Sequence, residues 1–431
     1  MKKNLSIIMG VLLVLAWYVT VSTWLGNEGK YQGYIDEAKR LEEKGLYLDA
    51  LTQYGLAQEL KPDSMEVDTY IADAYYSLGD FKSYRNQLNN IISKNGPVES
   101  VVQKLFEYYE TYSSQNSLID CVKDMYEQYP DSEIVKNYYN SLKGVYEEMY
   151  VNVNGIEKFK GSYAVYEVNG KKGILNTSGD VVLKAVYDDV IYNGEDNSKI
   201  IVKDDSGYYM INMKGYKAAE PEDTYESLGI LLQGRIAAKK DGKYGYLDSS
   251  MREKIAFAYD DATAFSDSVA AVKQGDKWAF INTKGEAVTE YIYDEVAINT
   301  KGSCSVAGVI GVRQGEDWFL INTEGERVGQ DTYEGMKAFE GRGYTAVCKN
   351  ERWGYINSAG TLVIDYQYHD ANAFTNGFAA VQSNGLWGFI DTNNLLIIDY
   401  VFSDAKYMTN KGVAAVAYGD AWTLIELKIL N

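Results

Sequence analysis

A five-residue pattern recurs eight times from Lys172 onward, and no other feature constrains the fold of this chain as tightly. Each copy sets an aromatic residue, usually Trp, before a small residue, two apolar residues and an Asn or Asp. A Gly usually follows three places later. The sharpest copies are Trp278-Ala279-Phe280-Ile281-Asn282 with Gly285, Trp353-Gly354-Tyr355-Ile356-Asn357 with Gly360, and Trp387-Gly388-Phe389-Ile390-Asp391. Weaker copies begin at Tyr208, at Tyr244 before Gly245, at Trp318 and at Trp422, and the first reads Lys172-Gly173. Their spacing of roughly 34–40 residues falls in the range of solenoids, propellers and repeat arrays. A site that performs chemistry is built once, so a residue present in every copy is read as structural.

Upstream of each aromatic lies a segment read as alternating, such as Gly377-Phe378-Ala379-Ala380-Val381 or Ser268-Val269-Ala270-Ala271-Val272. A polar turn follows (Asn384-Gly385, Asp241-Gly242, Gln314-Gly315), and then the Trp-Gly segment. Period-two apolar placement bounded by Gly and Asn predicts half-buried strands joined as hairpins. In the Asn-x-x-Gly step, the Asn side chain accepts from a backbone amide two residues on, and Gly tolerates the left-handed conformation. A β-branched run then ends in Tyr187-Asp188-Asp189, Tyr259-Asp260-Asp261, Tyr293-Asp294-Glu295 or Tyr368-His369-Asp370. The small residue after Trp predicts close approach by a neighbouring strand. The indole is expected to pack between units, so truncating Trp353 or Trp387 to Ala should cost about 3–5 kcal/mol.

In these Trp-Gly steps, residues 142–431 resemble the WG-repeat (KWG-repeat) family. The structural repeat positions are Trp278, Trp318, Trp353, Trp387 and Trp422, with Gly173, Gly245, Gly354 and Gly388 beside their aromatics or, at Gly173, beside Lys172. The pattern breaks at Lys172, at Tyr209, Phe319 and Thr423 where Gly is expected, and at Met251 where the turn Gly is missing. The resemblance implies β-structured, propeller-like repeats without a general catalytic activity, and hence a binding or scaffold role. The last copy, Gly412 to Leu430, stops short of any Tyr-Asp-Asp segment, whereas Leu142–Met149 matches Leu183–Val190. Val145, Tyr146 and Met149 are therefore expected to complete the final unit and close the ring, leaving no exposed sheet edge. A closed β-propeller of about eight small blades is expected, with an open β-solenoid as the alternative. For Val145–Met149 the alternative is an extension of the preceding helix, against which its Tyr and β-branched content argues.

Residues 28–141 carry a different period. Gly45, Tyr47, Ala50, Tyr54, Ala57 and Pro62 occupy the second-half positions of a tetratricopeptide (TPR) unit. Gly79, Phe81 and Tyr84 follow one period on with Leu88 and Ile91 in register, and Tyr109, Val122, Met125 and Pro130 follow another. A 34-residue helix–turn–helix must stack on its neighbours to bury its face. The third unit is degenerate, with Ser113 and Gln115 replacing the Gly and aromatic, and Asp131–Lys143 is expected to cap the stack. Resemblance to TPR units implies a concave surface for peptides or protein segments; a plain spacer or an oligomerisation module is the alternative.

Residues 1–27 are expected to form a cytoplasmic stub and a transmembrane signal anchor. No charge occurs from Asn4 to Asn27, and Leu5–Leu25 is long and apolar enough to cross a bilayer. Lys2 and Lys3 precede it, which keeps the amino end cytoplasmic and places the rest outside the cell membrane. Trp24 falls where an interfacial anchor belongs. A cleavable signal peptide would have a shorter apolar core and an A-x-A-like site, neither of which is present. The net charge of −19 argues against nucleic acid or anionic membrane as a partner. Cys121, Cys304 and Cys348 give an odd count without CxxC spacing, so free thiols are expected, with a single Cys304–Cys348 pair as the alternative.

Signs of chemistry are sparse. His369 is the only histidine and sits in a slot that other copies fill with Asp or Glu, which leaves neither a His-rich zinc site nor a Ser-His-Asp triad. Acidic pairs such as Asp188-Asp189, Asp260-Asp261 and Asp294-Glu295 repeat in equivalent settings, whereas a glycosidase needs two carboxylates in distinct ones. Residues Asn193 to Asn197 lack EF-hand spacing and read as a loop. The sequence thus predicts a non-enzymatic, membrane-anchored extracytoplasmic protein with no cofactor or metal, and with a protein, peptide or cell-wall glycan as partner. The alternatives are an envelope spacer, or a hydrolase at the propeller mouth using unpaired carboxylates such as Asp205, Glu220 and Glu222.

Overall fold

In the computed structural model the described residues are Trp17, 26–194 and 196–430. They fall into two compact units whose boundary lies between Leu142 and Lys143. The first unit is helical. Helix α1 runs through residues 26–42, followed by α2 (Tyr47–Leu60), α3 (Met65–Leu78), α4 (Phe81–Asn95), α5 (Glu99–Tyr112), α6 (Gln115–Gln128) and α7 (Glu133–Leu142). Helices α2, α4 and α6 start 34 residues apart, and so do α3, α5 and α7. Gly79 ends α3 in the left-handed conformation, while Ser64, Asp80 and Ser114 cap the N-termini of α3, α4 and α6 by accepting from backbone amides. The Ser114 cap keeps the third hairpin in step although its repeat residues have been lost.

Ala38, Ala50 and Ala57 are fully buried among Tyr31, Tyr54 and Ile71, so that α1, α2 and α3 approach closely. One charge is buried with them. Asp68 is held by Gln58, by Gln87 at 3.0 Å and by Lys94 at 3.1 Å, which offsets the desolvation of its carboxylate. Among the described residues no helix is long and apolar enough to cross a membrane. The expected span Leu5–Leu25 lies outside the described residues, apart from Trp17.

The second unit is an eight-bladed β-propeller. Seven of the eight blades follow one antiparallel path of strand a, a hairpin of strands b and c, and an outer strand d, blade 5 adding a two-residue strand and blade 4 forming only a, b and c. In blade 7 these are Asp370–Ala371, Phe378–Ser383, Leu386–Asp391 and Leu396–Phe402. Blades 1 to 8 begin at Gly155, Asp189, Ser227, Asp261, Glu295, Gly335, Asp370 and Asp404. In blade 8, strand d is Tyr146–Tyr150, which pairs with Ala421–Leu427. The register differs from the sequence match. Met149 lies opposite Leu424 as Leu183 lies opposite Ile174, so Met149 takes the place of Leu183 rather than Val190. Leu142 remains the last residue of α7, and the Val145 carbonyl accepts from the Lys428 amide just outside the strand.

Each blade interface holds its own buried cluster. Val165, Ile174 and Leu183 of blade 1 meet Val190, Ile200 and Val202 of blade 2, and the series runs round to blade 8, where Val413, Ala415 and Leu424 meet Ile156, Ala164 and Leu175 of blade 1. This arrangement corrects the half-buried reading of the b strands. Val269, Ala270, Ala271 and Val272 are all buried, because a blade in the ring has a neighbour on both faces. Only the outer strands alternate, as Leu362–Tyr368 does. The indoles divide as well. Trp278 and Trp318 are 7% and 9% exposed within the interfaces of blades 4/5 and 5/6, whereas Trp353, Trp387 and Trp422 are half-buried at the margins of theirs.

The glycine after the aromatic answers to the strand beside it. In blades 1, 3, 6 and 7 two residues of strand c face four of strand d, and this bulge folds the d backbone over the glycine. A Cβ on Gly173, Gly245, Gly354 or Gly388 would meet the carbonyl oxygen of Leu183, Ile255, Ile364 or Ile398 at 2.4–2.7 Å. Where glycine is absent, the partner strand differs. In blade 2 strand d is only Lys217–Ala219 and never reaches Tyr209. In blade 8 strand d pairs without a bulge, and the Thr423 hydroxyl donates to the Met149 carbonyl at 3.0 Å. In blade 5 the bulge carries Gly329 at φ +74, opposite Phe319. In blade 4 Ala279 accompanies a strand d reduced to bridges at Ala287 and Tyr293.

These contacts set two expectations for equilibrium denaturation. Gly388→Ala should destabilise the propeller by about 1–3 kcal/mol, as overpacking against backbone does. Trp278→Ala should cost about 3–5 kcal/mol, and Trp387→Ala clearly less because its ring is half-exposed. Equal losses for the two indoles would contradict the packing described.

Candidate functional site

Residues that repeat in every blade are occupied by structure. Each Asn or Asp that ends strand c accepts from amides two and four residues on. Asn282 does so from Lys284 at 3.0 Å and Glu286 at 3.1 Å. The next turn position is left-handed in Gly285 and Gly360, and Met251 adopts it at φ +63 with its side chain buried. The first acid of each pair sits where strand d crosses to the next blade. Asp294 accepts from Lys277 of its own blade at 2.6 Å and from the Gly315 amide in the next blade's b–c turn at 2.8 Å. Asp260 is placed the same way between Lys243 and the Gly275 amide, and Asp188 accepts from Lys171. His369 fills the slot by accepting from the Asn384 amide through Nδ1 at 3.3 Å. The second acids Asp261 and Asp370 bind the amide of the residue that follows them.

The non-repeating residues meet elsewhere. In five blades the a–b loop buries a large side chain, Phe159, Phe265, Phe339, Phe374 or Met408. The residue just before it is alanine in Ala264, Ala338 and Ala373, but Lys158 in blade 1 and Tyr407 in blade 8. Both line a cavity of about 500 Å³ at the mouth of the central channel, together with Lys160, Lys301, Glu340 and Arg342. Lys158 forms an ion pair with Glu340 of blade 6, the two side chains being 11% and 3% exposed, and its ammonium lies 4.7 Å from the Tyr407 ring centre. Glu340 also accepts from the Thr300 amide at 2.9 Å and hydroxyl at 2.7 Å. Burial holds the Lys158 and Lys160 ammonium groups below the ordinary lysine range, and burial beside Glu340 raises the Tyr407 phenol. A second cavity of about 430 Å³, also lined by Lys158 and Lys160, reaches Asp370, Trp387 and Asp404.

The carboxylates singled out in the irregular second copy are not at this mouth. Asp205 is in the b–c turn of blade 2, and Glu220 and Glu222 edge a shallow recess beyond its strand d, where Glu220 pairs with Lys217. All three cysteines are free, and burial pushes the Cys304 thiol up to about 11. Among the described residues no group of three or more His, Cys, Asp or Glu is placed to hold a metal ion. The Asn193 loop instead fixes itself, with Asn193 accepting from the Asp196 amide and donating to the Leu231 carbonyl.

The WG-containing-repeat family model matches residues 173–208, 244–278, 278–316, 353–387 and 387–422. Those five segments are similar to WG repeats. The copies left unmatched are those starting at Tyr208, Trp318 and Trp422, whose aromatics precede Tyr209, Phe319 and Thr423 instead of Gly or Ala. No curated protein matches the sequence. Among solved structures, the chain is similar to Hsv2 of Kluyvelomyces marxianus (11% identity, 57% of this chain and 91% of that one, TM-score 0.36). It is also similar to the AfRom2 CNH domain (10% identity, 65% and 98%, TM-score 0.37) and the Neurospora crassa Pan2 WD40 domain (10% identity, 65% and 87%, TM-score 0.31).

The acid links between blades respond to pH in a defined direction. The lysine beside each of Asp260 and Asp294, and then the turn amide, hold their carboxyls below the ordinary value. A carboxyl depressed in the folded state contributes stability that is complete above its unfolded value of about 3.9 and is lost as pH falls through the folded value. Propeller stability should therefore fall with acidification below about pH 4. Unfolding curves at a series of pH values should show a shallower fall for the Asp260→Asn, Asp294→Asn double variant.

Proposed function

We propose that this protein is a non-catalytic binding or scaffold protein, tethered to the cell membrane through residues 1–27, with both units extracytoplasmic. The observation that carries this reading is the division of labour within the propeller. Its recurrent carboxylates, amides and indoles are spent on holding blades together, whereas Lys158 and Tyr407, which break the a–b loop pattern, meet at one concave mouth. A pocket of a few hundred Å³ with a few convergent polar groups is the usual form of a recognition site.

The helical unit supports the same reading. Its 34-residue hairpin step and the Gly, Tyr and Ala positions of its second helices resemble TPR units, which would offer a groove to a peptide or protein segment. A protein partner is favoured, with a cell-wall glycan as the other ligand class. The uncharged Leu5–Leu25 stretch behind Lys2 and Lys3 supports the tether and its orientation.

Crosslinking the full-length chain in intact cells tests the proposal. A small, reproducible set of extracytoplasmic partners should be recovered with the membrane fraction. Recovery of background alone under several growth conditions, or fractionation of the chain away from membranes, would count against it.

A further inference from the structure

We infer that the channel mouth is a receptor for a single oxyanion group, a carboxylate or a phosphate, carried by a protein ligand, with Lys160 and Arg342 as its main donors. This rests on the binding reading above and names the chemistry of its site. The chain carries a net charge of −19, yet Lys158, Lys160 and Arg342 line this cavity beside a single carboxylate, Glu340, among its described residues. Such a local reversal of sign attracts negative charge into a concave site.

Glu340 does not neutralise the group. Its oxygens are already engaged by Lys158 and by the Thr300 amide and hydroxyl. Lys160 has donors to spare, because its ammonium makes one hydrogen bond, to the Tyr192 carbonyl at 2.9 Å, out of the three it can give. Holding a cation out of water without full compensation is costly, and an incoming oxyanion would supply the missing acceptors. Burial acts most strongly against the Lys160 ammonium and the neighbouring Lys158 and Lys301 charges add to it, with Glu157 and Glu340 offsetting only part, so an anion placed there relieves both effects. Arg342 stands exposed at the rim and can meet a carboxylate or phosphate through two parallel donors. A polyanion is disfavoured by the acidic body around the mouth, which limits the ligand to one charged group at the tip of a protein segment.

Calorimetry on the full-length protein tests this with three probes: inorganic phosphate, a glutamate-containing peptide and its phosphoserine counterpart. Saturable one-site binding that weakens with rising ionic strength is expected. Preference for the phosphoserine peptide together with phosphate binding assigns phosphate, and preference for the glutamate peptide assigns carboxylate. Lys160→Gln and Arg342→Gln should each weaken binding about tenfold. Arg342 is exposed, so its variant decides the matter even if loss of the Tyr192 contact disturbs the Lys160 loop. Absence of saturable binding with all three probes, or full affinity in both variants, overturns the site. Variants that still crosslink their partner at wild-type yield would reject the mouth as the receptor while leaving the binding function standing; failure of the unsubstituted chain to crosslink any partner would reject that function itself.

Discussion

Blade-on-blade packing is the interaction on which the propeller depends. A single blade is a small antiparallel sheet with apolar side chains on both faces of its middle strands, and alone it would leave one or both faces wet. Each interface buries a cluster drawn from two consecutive repeats, so no blade is stable except as part of a sequence of blades. A linear array would still leave two end faces uncovered. Pairing of Tyr146–Tyr150 with the last strand, and the cluster that joins blade 8 to blade 1, remove both ends at once.

That constraint explains which parts of the motif are fixed and which vary. The glycine beside the aromatic is coupled to a bulge in the adjoining outer strand. Blades that relax one relax the other, by a shorter strand at Tyr209, a straight one at Thr423 or a glycine in the partner at Gly329. The WG step is thus half of a two-strand device. Its aromatic is less demanding, since Lys172 fills that position in blade 1, where it pairs with Asp189 at 2.8 Å. Met251 shows the same economy in a turn: a left-handed methionine is strained, but its buried side chain packs in the interface of blades 2 and 3.

Much of the fold was legible because its determinants are local. The hairpins, the Asn-x-x-Gly turns and the helical period each lie within a few residues, and their side chains act on nearby backbone. Burial of the b strands was misread for a physical reason. Segments such as Phe378–Val381 and Val269–Val272 do not alternate, and runs that are apolar throughout fit strands covered on both faces. The closing strand was found at the right segment but in the wrong register, because the match relied on Tyr146 and the acids after it, whereas strand register follows the inward residue Met149.

The channel mouth was not legible at all, since nothing in the chain relates Lys158 to Glu340 across 182 residues until the ring forms. A signal did exist. Lys158 and Tyr407 stand in a loop slot that Ala264, Ala338 and Ala373 fill elsewhere, and a large polar residue in a small-residue slot cannot be serving the repeat. In a toroid those slots face one another, so deviations scattered along the sequence become neighbours in space. Repetition builds the wall, and the breaks at Lys158 and Tyr407, which no packing of the wall requires, come together at the mouth. An acidic exterior around a basic mouth follows the same logic, because it admits one negative group at close range and repels an extended polyanion.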